Sequence, residues 1–158
     1  MTLVCASAGF GKTTLIFFQA KPGFAGSRGS VVDHIGFSYP DLAAKLKQLE
    51  EAKVEIVSPI EQEGPIKDAF IKDPWGTLIE LVEDPEIQGF HHVHLAVPDP
   101  QAALAWYQRA FGGETARFAG LIPGIRNGDV WLLVKKVDQP LAATKGRSID
   151  HLSWAYAD

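Results

Sequence analysis

The chain has 158 residues, 46% of them hydrophobic and 22% charged, which is enough apolar material for a globular core and argues against disorder. Its net charge of -4, with no Lys/Arg cluster, excludes an electrostatic footprint for nucleic acid and a hold on an anionic membrane. The expected partners are small molecules or a second copy of the chain.

The first motif in chain order is ASAGFGKTT at residues 6–14. A phosphate-binding loop needs a glycine-rich turn whose Lys-Thr opens a helix, and TLIFFQ (14–19) instead reads as a strand, being rich in β-branched, aromatic and long aliphatic residues. The Lys-Thr therefore closes a hairpin turn, and nucleotide binding is not expected. The apolar run near Leu15 is far too short to span a membrane. Cys5 is the only cysteine, so an internal disulfide is impossible. No secretory leader pattern opens the chain, and a cytoplasmic location is expected.

Val31 to Tyr39 is an apolar, β-rich run. Asp41 is a plausible N-cap for a helix whose Leu42, Leu46 and Leu49 share one face. Three strands come next, at 54–58, 68–72 and 77–83, separated by Pro59, Gly64, Pro74 and Gly76. The pattern then repeats: a strand at 92–97, a helix capped by Asp99 with Pro100 in its first turn, and strands at 114–118, 121–125 and 130–136.

The repeat is visible residue by residue. A slide of 58 positions lays DHIGFSYPD on HHVHLAVPD and brings His34 onto His92 and Asp41 onto Asp99. A slide of 117 positions lays VVDHIGFSYPD (31–41) on SIDHLSWAYAD (148–158), matching His34 with His151, Tyr39 with Tyr156 and Asp41 with Asp158. Upstream it matches Gly11 with Gly128 and Leu15 with Leu132. The expected organisation is trailing strands of a partial module at 1–30, complete βαβββ modules at 31–84 and 85–140, and the opening strand of another partial module at 141–158.

The order of DHIGFSYPDLAAKLKQL, KDPWGTLIELVEDP and HHVHLAVPDPQAALAWYQRAFGG resembles the vicinal oxygen chelate superfamily of glyoxalases, bleomycin-resistance proteins and extradiol dioxygenases. The resemblance implies an α+β fold in which paired βαβββ modules form a U-shaped mixed sheet, here in permuted or truncated order. It also implies a divalent metal ion held in the cup, with ligands on the opening and last strands. Carried over position by position, it puts metal ligands at His34, His92 and Glu80, with His151 as a further candidate through exchange between chains. The last strand of the second module, VWLLVKK, has no acid, so a site with two carboxylates is not supported.

Two imidazoles and one carboxylate suit Fe²⁺, and Mn²⁺, Zn²⁺, Ni²⁺ or Co²⁺ are also accommodated. Strand alternation turns Ile79, Leu81, Val93, Leu95 and Val97 under the helices and leaves Glu80, His92, His94 and Ala96 in the cup. His94 is then a candidate acid/base group. A lone strand histidine reads first as a hydrogen-bonded core residue, and recurrence at 34, 92 and 151 is what argues for ligation. His91 is read as an ordinary strand residue. The expected function is a metal-dependent lyase, isomerase or dioxygenase acting on a small oxygenated substrate, with a metal-free binding protein or an inactive remnant as the alternative. The unpartnered strands near both ends suggest a homodimer, with strand exchange as one form.

Overall fold

The computed structural model describes residues 5–155. It begins with an antiparallel hairpin, β1 (Cys5–Phe10) and β2 (Thr13–Phe18), which forms a sheet of its own. Gly11 sits in the turn at φ 60°, a left-handed conformation that glycine adopts at little cost. Lys12 and Thr13 thus lead into a strand, and no phosphate loop is built.

The first module runs β3 (Val32–Tyr39), α1 (Leu42–Glu51), β4 (Glu55–Glu63), β5 (Ile66–Lys72) and β6 (Leu78–Glu83). The second runs β7 (Gly89–Val97), α2 (Pro100–Phe111), β8 (Glu114–Phe118), β9 (Ile122–Asn127) and β10 (Val130–Lys136). Together they make one eight-stranded sheet in the order β4-β5-β6-β3-β7-β10-β9-β8. β3 and β7 meet antiparallel at the centre, and each is flanked on its outer side by its own module's last strand in parallel. The fold is therefore α+β, built on a large mixed sheet with two helices.

The helices begin where capping chemistry places them. The Asp41 side chain accepts from the Ala44 N–H at 2.9 Å, and Asp99 accepts from the Ala102 N–H at 3.0 Å. Leu42 and Leu46 of α1 are buried against Ala69, Ile71 and Leu81, each contributing about 2 kcal/mol of burial. Behind the second half of the sheet Val93, Leu95, Ile125, Leu132 and Val134 form the largest cluster, with Leu104 and Tyr107 of α2 packed on it. β4 continues past Pro59 as an edge strand with two register shifts, the setting in which a strand tolerates proline.

The opposite face curls over on itself. Ile66 of β5 shares a cluster with Phe118 of β8, although the two strands stand near opposite ends of the sheet order. Only strong curvature brings them together, and the enclosed concave face is where the polar residues lie.

The partial repeats behave differently from the complete ones. Residues 25–30 and 142–147, equivalent in the 117-residue slide, pair with each other through bridges at Ala25–Arg147 and Ser30–Ala142. Residues 148–155, expected as an opening strand, form no ladder. β3 and β7 each have strands on both sides, whereas this segment has none, and its backbone gains nothing from extension. Its side chains pack instead: Trp154 stacks on Phe111 with centroids 4.1 Å apart. The pairings expected for Tyr156 and Asp158 lie outside the described residues. On β2, Ile16, Phe17 and Phe18 remain about half exposed. Among the described residues no helix is long and apolar enough to cross a membrane.

Candidate metal centre

Four side chains converge on the concave face. His34 comes from β3, Glu80 from β6, and His92 and His94 from β7, and one ligand atom of each lies within 4.8 Å of all the others. The ladders explain the convergence. Gly36 pairs with both Glu80 and His92, and His34 pairs with His94, so the four residues occupy neighbouring rungs of three adjacent strands. All four are buried.

Gly36 makes room for the group. A Cβ at that position would lie 2.1 Å from Cε1 of His92, so this ring occupies the space that any other residue would fill.

Hydrogen bonds fix the ring of His34. Its Nδ1 donates to Asp33 at 2.9 Å and its Nε2 donates to Glu80 at 2.7 Å, while Nδ1 of His94 lies 3.1 Å from the same Nε2. Burial disfavours charge on His34, yet the carboxylates of Asp33 and Glu80 outweigh it and raise its pKa above the ordinary histidine value. Burial likewise opposes ionisation of Glu80, and the imidazoles of His92 and His34 prevail, holding its pKa well below the usual glutamate value. Asp33 is kept ionised against burial by His34 and by Lys135, whose Nζ donates to it at 2.8 Å.

The two β7 histidines of this group, His92 and His94, stay neutral. Burial lowers the pKa of His92, and burial together with the neighbouring His34 and His92 lowers that of His94. Nε2 of His92 lies 3.3 Å from Glu80 but makes no hydrogen bond, and Nε2 of His94 also has no partner. Buried ring nitrogens are rarely left in this state, because each forfeits the hydrogen bond it had in water. Two unpartnered nitrogens beside a carboxylate and a third imidazole match the donor set of a divalent transition metal.

Of the residues singled out in the sequence, His34, Glu80, His92 and His94 are thus brought together. His151 is not. It is exposed, its Nδ1 bonds to Asp150, and its ring lies 6.1 Å from that of Phe18. Several neighbours of the centre carried no separate signal in the sequence: Phe70, whose ring meets that of His34 edge-on at 5.2 Å, Lys135, and Asp68, whose pKa is raised to about 6 by burial and by Glu80. The position before each strand histidine, occupied by Asp33, His91 and Asp150, was the one available clue to a supporting layer.

A sequence model of the Glyoxalase/Bleomycin resistance protein/Dioxygenase superfamily matches residues 89–145, which cover the second module and a short stretch beyond it. The fold is shared with glyoxalase I from Zea mays at a TM-score of 0.68 and 18% identity, over 82% of this chain and 52% of that one. It is also shared with a putative dioxygenase from Bacillus subtilis subsp. subtilis str. 168 at a TM-score of 0.61 and 21% identity, over 79% of this chain and 47% of that one. The chain spans about half the length of these solved structures. No curated protein matches it. The resemblance to the vicinal oxygen chelate superfamily drawn from the sequence motifs is borne out in both the matched module and the fold.

Proposed function

We propose that this protein is a divalent-metal-dependent enzyme acting on a small substrate that carries two adjacent oxygens. The observation supporting this reading is the convergence of three imidazoles and one carboxylate on the concave face, with Nε2 of His92 and of His94 left without partners. His34, once its Nε2 has given up the proton it donates to Glu80, would hold the ion together with Glu80 and His92. When bound, it supplies Lewis-acid polarisation of the substrate oxygens.

The remaining tasks fall to the chain itself. His94 is neutral and buried, and its unpartnered Nε2 is the atom that moves a proton to or from the substrate. Asp33, anchored by Lys135, holds the His34 ring in place. Phe118, Trp131 and Leu133 keep the second half of the cup apolar and exclude water from the reacting groups. A lyase or isomerase step, with proton transfer next to a carbonyl, uses these groups most directly.

One observation favours the second reading, a metal-free binding protein. His34 and Glu80 already satisfy each other at 2.7 Å without an ion. Elemental analysis of protein purified without added metal separates the two readings. We expect close to one divalent ion per chain in the wild type and a loss of about tenfold or more in His92→Ala. Absence of metal from wild-type protein, even after incubation with Zn²⁺, Mn²⁺, Co²⁺, Ni²⁺ and Fe²⁺, would leave the binding-protein reading in its place.

A further inference from the structure

Positions 33, 91 and 150 precede the histidine of each repeat copy. In two copies the residue is an aspartate bonded to the following ring: Asp33 lies 2.9 Å from Nδ1 of His34, and Asp150 lies 2.9 Å from Nδ1 of His151. In the central copy it is His91. The register between β3 and β7 slips between Val32 and His34 and again between Gly36 and Phe37. The extra residue is Asp33 in the first slip and His91 in the second. Two equivalent positions are therefore each the extra residue of a β-bulge, which turns the side chain next to that of the neighbouring histidine instead of to the opposite face.

The chemistry of the central pair is set by its contacts. Nδ1 of His91 and Nδ1 of His92 are 2.7 Å apart, so one nitrogen carries the shared proton and the other is bare. The far side of His91 decides which. Its Nε2 lies 3.1 Å from Oδ2 of Asp84, whose Oδ1 accepts the Glu86 N–H at 2.7 Å. An ionised carboxylate only accepts, so the proton of His91 sits on Nε2 and its Nδ1 is bare. His92 then donates from Nδ1, and its own Nε2 is left as a free lone pair. That is the atom found beside Glu80 without a hydrogen bond.

We propose that Asp84 and His91 form a relay that sets the tautomer of His92 and presents its Nε2 lone pair to a divalent cation, where Asp33 bonds the equivalent Nδ1 of His34 directly. The proposal rests on the metal-dependent reading of the centre. His91 is a positioning residue: it touches His92, Asp84 and Phe118, the last with ring centroids 4.7 Å apart. The reason for the relay is electrostatic. Asp33 is buried but neutralised by Lys135, whereas among the described residues no lysine or arginine pairs with Asp84 or stands at His91. An aspartate at position 91 would be a buried, uncompensated charge, and the imidazole moves the carboxylate outward to the partly exposed Asp84.

Two measurements test this. The first is nitrogen-15 NMR of the imidazole rings in metal-free protein, which reads the tautomer directly. We expect a protonated Nδ1 and a bare Nε2 on His92. The second is competition between protein and a chelator for Zn²⁺. His91→Phe and Asp84→Ala should each lower affinity by about 10–100-fold. His91→Asn, whose amide oxygen supplies an acceptor near the lost Nδ1, should restore most of it. A proton on Nε2 of His92 in the wild type overturns the relay, and so does a folded His91→Phe protein that binds Zn²⁺ as tightly as the wild type. Should the Phe variant not fold, Asp84→Ala replaces it, and wild-type Zn²⁺ affinity in that protein overturns the relay equally. A wild type that takes up no Zn²⁺ ends the metal-dependent reading, while the NMR tautomer still decides the relay by itself.

Discussion

The two complete modules share a backbone plan and divide the chemistry between them. In the first, the cup face carries His34, Gly36, Phe70 and Glu80; in the second, the equivalent rungs carry His92, His94, Gly124 and Leu133. A carboxylate in one half faces an aliphatic side chain in the other, and a glycine in one half stands where the other has a histidine. The glycines are spatial partners of the bulky residues: a Cβ on Gly36 would strike the His92 ring, and one on Gly124 would come within 2.7 Å of Leu133. Internal repetition thus sets the positions from which donors project. Divergence between the copies makes one asymmetric centre out of what would otherwise be two identical half-sites.

That contrast can be broken most forcefully by making the modules alike. Leu133→Glu writes the first module's carboxylate into the second, at a position only 1% exposed. We expect metal-free protein to lose about 3 kcal/mol or more in a denaturant melt, with a larger recovery on adding Zn²⁺ than the wild type shows. An unchanged melt would mean that the second half of the cup is not a dry wall.

Gly36→Ala tests the spatial side of the comparison. The added methyl must displace the His92 ring, and overpacking of this kind costs about 1–3 kcal/mol. Zn²⁺ affinity, measured by competition, should fall by about tenfold or more if His92 is a ligand as proposed, because its ring is pushed off its position. Wild-type stability and affinity in this variant would show that His92 does not lie over Gly36.

The smallest effect is expected at Asp68, whose ladder position in the second module is held by Ile122. Burial and the charge of Glu80 raise its pKa to about 6, so the folded chain holds this proton more tightly than the unfolded chain. Its contribution is fully present below about pH 4 and is lost as the pH rises through about 6. Asp68→Asn should therefore stabilise the protein above pH 6 by about 1 kcal/mol, a figure discounted because the group is partly exposed, and should have little effect at pH 4. Melts at pH 4.5 and pH 8 that shift equally would remove Asp68 from the polar wall of the first module.

Much of the architecture was legible because it rests on local rules. Asp41 and Asp99 announce the helix starts, leucine spacing marks the face of α1, and alternation in TLIELV and HHVHLAV assigns which side chains turn toward the helices. The repeat then carried His34 onto His92. The supporting layer was not legible, because a bulge breaks the alternation on which strand reading depends: Asp33 and His91 lie beside their neighbours instead of opposite them. Lys135 was hidden for a different reason, since its contact with Asp33 spans 102 positions and has no repeat equivalent. Residues 148–155 show the limit from the other side, since a strand-like sequence with no flanking strand forms no ladder.

By itself, the amino-acid sequence determined the module pattern, the helix caps, the strand faces and the positions from which ligands can come, all properties set by residues within a few positions of one another or by recurrence at a constant interval. The tertiary structure alone decided that four of those side chains meet while His151 stays apart. Ladder pairing joins strands far apart in sequence, and the curvature of the sheet sets which of their side chains share one small volume.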